Sequence, residues 1–256
     1  MNDFNLKKKE NIKKLGEDSE CKKISIDFIS KTYKHKYSYH FHSLGRPIIQ
    51  YPQDMIAMQE LIWEVKPDLI IETGIAHGGS LIMSASMLAL LDMCEFIELG
   101  ESFNPKNSNR KVLGIDIDIR AHNKEAIEKH PMFSRIQMIE GSSVSPDIID
   151  RVKKIANNYA RVLVCLDSNH THDHVLDELK AYASLTSVGS YCVVFDTNVE
   201  DMSKEMFEER PWGPGNNPKT AVREFLKTNH KFEIDKNIED KLLITVAPDG
   251  YLKRIR

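Results

Sequence analysis

The chain has 256 residues and 29.4 kDa, with 35 Lys+Arg against 38 Asp+Glu, a formal net charge of −3 and 41% hydrophobic residues. That apolar fraction suffices for a core, and no period of about 20–50 residues recurs, which excludes disordered, collagen-like and repeat classes. The longest mostly apolar stretch, Leu81 to Leu91, is well short of the about 20 residues a membrane-spanning helix needs, and no apolar run follows the cationic start. We therefore expect no membrane span, no secretory leader and a cytoplasmic location. Four widely spaced cysteines with no C-x-x-C pair read as reduced thiols rather than a disulfide or zinc framework.

Residues 1–36 carry ten Lys against six Asp+Glu. Lysines interleaved with Ile24, Phe28 and Ile29 at helical spacing describe the solvated face of a peripheral helix better than a nucleic-acid arm, so no nucleic-acid partner is expected. We delimit residues 1–45 as a basic arm, a lid or an oligomer contact, and 46–256 as the main domain. After Gly45-Arg46-Pro47, Pro52 opens a helix through Val65. Leu69–Glu72 is a short apolar strand followed by Thr73-Gly74-Ile75-Ala76-His77-Gly78-Gly79-Ser80 and a helix through Met83, Met87, Leu88 and Leu91. The alternation continues with strands at Lys111–Ile117, Ile136–Ile139, Val162–Leu166 and Tyr191–Phe195, separated by helices at Asn123–Lys129, Pro146–Asn157 and His172–Tyr182. A helix at Thr220–Thr228 and strands at Phe232–Ile234 and Leu242–Val246 complete the pattern. Strands apolar on both faces and alternating with helices predict an α/β fold: a doubly wound, mostly parallel sheet of about seven strands with helices on both faces, plus the N-terminal helical arm. The Pro- and Gly-rich run Arg210–Pro218 has the composition of a lid or substrate loop.

In such a sheet ligands bind beyond the carboxyl ends of the strands. The first strand end carries Glu72, Gly74, His77, Gly78 and Ser80; its glycines permit close backbone approach, and a buried Glu72 needs a partner such as a ligand ammonium. Ala76 breaks the dinucleotide fingerprint, and no P-loop lysine is present. Asp116 closes the second strand where a carboxylate can accept a ribose diol, with Asp118 in reserve, and Ser142 and Ser143 at the third can line an adenine edge. Asp167 and Asp196 close the fourth and fifth. Two carboxylates at one site repel unless a cation or proton lies between them, and oxygen ligands favour Mg²⁺ or Mn²⁺. His170, one turn from Asp167, is a candidate general base. The competing explanation is that both aspartates are turn or helix caps. His170 with His174 as an iron site lacks a third ligand, and His172 and His174 read as surface helix residues.

The segments GRPIIQYPQDM, IIETGIAHGGSLI, VLGIDIDIR, LDSNHTHDHVLDELKAY, GSYCVVFDT, RPWGPGNNPKTAV and KLLITVAPDGYLKR resemble the cephalosporin hydroxylase family, which includes rhamnosyl and macrolide-sugar O-methyltransferases. The resemblance covers roughly residues 40–256. It implies a class I, Rossmann-like S-adenosylmethionine-dependent methyltransferase, often with Mg²⁺. Carried onto this chain, Glu72, Gly74 and Asp116 contact the cofactor, Asp167 and Asp196 ligate the metal, and His170 is the base. Related enzymes often have a Glu-Asp pair at the end of the fifth strand; here Phe195 precedes Asp196, so Thr197 or Asn198 would supply the third oxygen.

The expected activity is O-methyl transfer from S-adenosylmethionine to a hydroxyl of a sugar, a nucleotide-linked sugar or a similar polar small molecule, assisted by Mg²⁺ or Mn²⁺, in a homo-oligomer. A metal-dependent hydroxylase and a catalytically silent cofactor-binding subunit are the rivals.

Overall fold

The computed structural model of the chain describes residues 3–102, 104 and 108–256. In chain order its elements are α1 (Asp3–Glu17), α2 (Ser19–Tyr33), the hairpin strands β1 (Phe41–Ser43) and β2 (Arg46–Ile48), α3 (Pro52–Val65), β3 (Leu69–Thr73), α4 (Gly79–Leu99), β4 (Lys111–Asp116), α5 (Ala121–Glu128) and β5 (Ile136–Glu140). There follow α6 (Pro146–Ala156), β6 (Val162–Leu166), α7 (His172–Tyr182), β7 (Tyr191–Val194), α8 (Pro218–Thr228), β8 (Phe232–Ile234), α9 (Lys236–Leu242) and β9 (Tyr251–Arg254).

Seven strands pair in the order β5-β4-β3-β6-β7-β9-β8. The first five are mutually parallel and β9 runs antiparallel to both of its neighbours. The predicted Rossmann-like sheet is therefore present. Alternation along β3 divides the core: Ile70 packs with Leu81, Leu88, Ile62 and Tyr251 on the α3/α4 face, while Leu69 and Ile71 pack with Val152, Leu179 and Phe225 on the α6/α7/α8 face. The strand order reverses between β3 and β6, whose ends Thr73 and Leu166 are in register, so the crevice lies above that pair.

The N-terminal arm is helical as expected, while the strand at Leu242–Val246, the exposure of Ile24 and the length of α4 depart from expectation. The run Leu242–Val246 is not a strand. Asp54, fully buried on α3, accepts from the backbone N–H of Val246 at 3.0 Å, from the Tyr251 hydroxyl at 2.8 Å and from the Thr245 hydroxyl, and this capture holds the segment off the sheet until Tyr251. The arm is two helices docked on the domain: Gly16 of α1 lies where a Cβ would overlap the Asp240 carboxylate, and Ile29 of α2 is 4% exposed. Ile24, expected on the packed face, is exposed instead. Lastly, α4 is 21 residues long and apolar enough to span a bilayer, yet Leu81, Ile82, Ala85, Leu88 and Leu91 are buried in the core. Its far end is tied down by Asp92, ion-paired to Arg110 and Arg135. All four cysteines are free, Cys165 and Cys192 being buried.

Burial raises the Asp54 carboxyl to about 6, while its three donors pull it down. Asp54→Ala leaves those donors without an acceptor and should cost about 3 kcal/mol of unfolding free energy, measured by urea denaturation at neutral pH. A loss within 0.5 kcal/mol contradicts the anchoring role.

Candidate active site

The turn after β3 builds the floor of the crevice. Gly74 has φ +88°, and a Cβ there would overlap the carbonyl oxygen of Asp167 on the neighbouring strand end. Ala76, standing where a glycine was expected, still takes φ +45°. It is held there by Asp116, whose Oδ2 accepts from Ile75 N at 2.8 Å and Ala76 N at 3.2 Å, and by Asn123, whose amide donates to the Ala76 carbonyl at 3.0 Å. Arg46 donates to the His77 carbonyl, at 2.7 Å from Nη2, and to Asn123 Oδ1 at 3.0 Å. At Gly79 a Cβ would overlap the Pro47 carbonyl oxygen, so the first turn of α4 sits directly against β2.

Two chambers share this floor. A groove of about 450 Å³ is lined by Gly74, Asp116, Ser142, Ser143, His174 and Trp212, the last from the 210–218 loop. A smaller chamber of about 220 Å³ is lined by Gln50, His77, Ser80, Asp167, His170 and Asp196, and both chambers include Gly74 and Asp167. Within the smaller one, ligand atoms of Asp167, His170 and Asp196 all lie within 4.8 Å of one another. His170 Nε2 is 3.2 Å from Asp196 Oδ2, and its ring meets Trp212 edge-on at 4.8 Å. Asp196 is itself at φ +54°, in the left-handed region that non-glycine residues seldom occupy. Burial and then the neighbouring charges of Asp196 and Glu72 push the Asp167 carboxyl well above the usual carboxylate range; the Gln50 amide, donating at 3.3 Å, opposes this.

The structure separates some residues the sequence grouped. Thr197 is fully buried with its hydroxyl committed to the Pro248 carbonyl at 2.6 Å, and it does not line the chamber. Phe195 is buried in the α3/α4 core. Glu72 is 4% exposed and lies behind Ser80, whose hydroxyl donates to it. His170 and His174 do not converge: His174 Nε2 is 3.1 Å from Ser168 Oγ and 3.2 Å from Ser143 Oγ, beside the fully buried Glu178. His172 bonds Thr220 Oγ1 through Nδ1 at 2.8 Å, so neither is a free surface histidine. The 210–218 loop is a fastened wall: Glu200 accepts from Gly215 N and the Asn217 amide, and Asn216 Oδ1 accepts from His172 N.

Gln50, within the motif GRPIIQYPQDM, carries no spacing that marks it as a site residue in the sequence. Gln50 lines the chamber that holds Asp167, His170 and Asp196, and its Oε1 is buried with no hydrogen-bond partner; two carboxylates and an orphaned amide oxygen beside them fit a hard divalent cation.

Residues 35–255 match the profile of the family described as Rhamnosyl O-methyltransferase/CmcI. The chain belongs to that family. The rhamnosyl O-methyltransferase of Mycobacterium bovis is 30% identical over 204 residues, 78% of this chain and 73% of its own, and that of Mycobacterium leprae 28% over 212 residues, 82% of each. The solved Mg and S-adenosylmethionine complex of CmcI shares the fold, at a TM-score of 0.55 and 17% identity over 85% of this chain and 78% of CmcI. The resemblance read from the motifs is thus a family membership, and the protein is an S-adenosylmethionine-dependent methyltransferase.

Burial raises the Glu72 carboxyl to about 7, with Ser80 lowering it in part. A carboxyl whose folded pKa exceeds its unfolded value stabilises the fold fully below the unfolded pKa, and that stabilisation is lost as pH rises through the folded one; here the loss is roughly 3 kcal/mol across about pH 4.5 to 7. The cofactor-free methyltransferase carrying Glu72→Gln should therefore show a flatter Tm profile and exceed the wild type at pH 8. Parallel profiles from pH 5 to 8 would show that Glu72 is not the titrating group.

Proposed function

We propose that this methyltransferase methylates a hydroxyl of a sugar, with a divalent cation, Mg²⁺ or Mn²⁺, held by Asp167 and Asp196 and supported by Gln50 Oε1. The observation that carries the reading is the convergence of Asp167, His170 and Asp196 in a chamber that opens onto the groove lined by Asp116, Ser142 and Ser143. The rhamnosyl O-methyltransferases at 28–30% identity support a sugar as acceptor.

The groove receives the cofactor, with Ser142 and Ser143 toward the adenine, Asp116 toward the ribose and the Gly74 turn against the methionine portion. Bound there, S-adenosylmethionine would supply an electrophilic methyl to the acceptor oxygen, with S-adenosylhomocysteine as the leaving group, and the cation would supply positive charge for the developing alkoxide. The chain's own part is positioning and proton transfer. Asp196 Oδ2, paired with His170 Nε2, orients the imidazole, leaving Nδ1 to take the hydroxyl proton. Trp212, packed edge-on against His170, limits the ring's rotation and keeps water from that side. The second carboxylate oxygen of Asp196 and the carboxylate of Asp167 remain for the cation.

His170→Ala should lower kcat by about 100-fold or more while leaving S-adenosylhomocysteine and Mn²⁺ affinities, measured by calorimetry, within a factor of about two. Loss of Mn²⁺ binding in that variant would make His170 a ligand instead of the base. Asp167→Asn should abolish Mn²⁺ binding and lower turnover together; full activity in chelator would remove the metal from the mechanism.

A further inference from the structure

The cavity continues beyond the reacting centre. Ser38 and Tyr39 line both the chamber of Asp167, His170 and Asp196 and a further chamber of about 410 Å³. One wall of this vestibule is the junction of α2 with the one-turn helix Tyr37–Tyr39, which presents Tyr33 and Tyr39; the opposite wall is the segment 205–210. Tyr33 and Tyr39 are 39% and 50% exposed, and Lys36 Nζ lies 6.0 Å from the centroid of the Tyr39 ring, over one face, so each side chain leaves aromatic surface toward the vestibule. Their positions are set by neighbours: Tyr33 packs edge-on against Phe207 at 5.7 Å, and Tyr37 is clamped by Phe28, Phe41 and Tyr51 at 5.1–5.7 Å. Arg210 lies 5.3 Å from the ring of Trp212, whose edge meets His170, so one continuous wall leads from the vestibule to the base.

The charges of the vestibule decide what it holds. Lys34, Lys36 and Arg210 face Glu205, Glu208 and Glu209, three cations against three carboxylates with no net charge. An open aromatic ring covers the C–H face of a pyranose, while guanidinium and carboxylate forks bond its hydroxyls. A diphosphate needs an excess of cations, which this wall lacks. We infer that the N-terminal arm completes the active site as an acceptor subsite, in which Tyr33 and Tyr39 hold a neutral glycoside rather than a nucleoside-diphosphate sugar. The inference rests on sugar O-methylation as proposed above. It gives residues 33–39 a role in acceptor recognition rather than in cofactor binding.

The test uses the full-length protein loaded with S-adenosylhomocysteine, titrated by saturation-transfer NMR with methyl α-rhamnoside and, separately, with thymidine-diphosphate-rhamnose. Methyl transfer from S-adenosylmethionine is followed in parallel. The expected result is that the neutral glycoside binds at least as well as the nucleotide sugar. Tyr33→Ala and Tyr39→Ala should each weaken it roughly tenfold at unchanged S-adenosylhomocysteine affinity, and Tyr39→Phe should retain it. The inference is overturned if neither sugar binds, if the nucleotide sugar binds tenfold better, or if the alanine variants bind the glycoside like the wild type. A glycoside that binds through Tyr33 and Tyr39 but is never methylated leaves the subsite standing and refutes sugar O-methylation instead.

Discussion

The active site depends on one close approach. Gly74, at the end of β3, lies under the backbone carbonyl of Asp167 at the end of β6, in a left-handed conformation and a space that no side chain could share. Because the two strand ends pass this closely, the loop after β3 and the loop after β6 form a single surface, and Asp167 lines both the larger groove and the smaller chamber. A bulkier residue would separate the strand ends and pull the carboxylate away from both.

Around that contact the carboxylates divide their labour. Asp116 spends two acceptor positions holding the strained Ile75-Ala76 turn, and Asp54 spends its own on the C-terminal segment. Asp92 anchors two arginines at the edge of the sheet. Asp167 and Asp196 are the pair left close together with few donors, and the cost of that arrangement is one that the cation proposed above would offset. The acidic surplus of the chain therefore belongs partly to architecture and only partly to the site.

The site is also assembled from distant parts of the chain. Gln50 comes from the segment before α3, His170 from the end of the β6–α7 loop, Trp212 from a wall fastened to α7 and α8, and Tyr39 from the arm. A reading that follows strand ends alone finds the aspartates and His170 and misses Gln50, because a lone amide has no periodicity or spacing to mark it. It also places His174 on the surface, where only the packing of α7 against the β5 loop shows it bonded to Ser143 and Ser168.

Composition, the period-two and period-3.6 patterns and the glycine turn were enough to read the five parallel strands, the helices between them and the motifs of the family, because those features arise from backbone sterics and local burial. They did not reveal α9 or β9. The acidic residues at strand ends were legible for the same reason, since parallel strands bring all their carboxyl ends to one edge. Tertiary structure alone decided the rest. Asp54 reaches nearly two hundred residues along the chain to keep Leu242–Val246 off the sheet, Thr197 turns its hydroxyl to Pro248 while Gln50 keeps a buried oxygen unpartnered, and Ser38 and Tyr39 of the arm line the chamber. Each of these is a contact between residues far apart in sequence, chosen by which buried polar group must find a partner, and no local pattern carries that information.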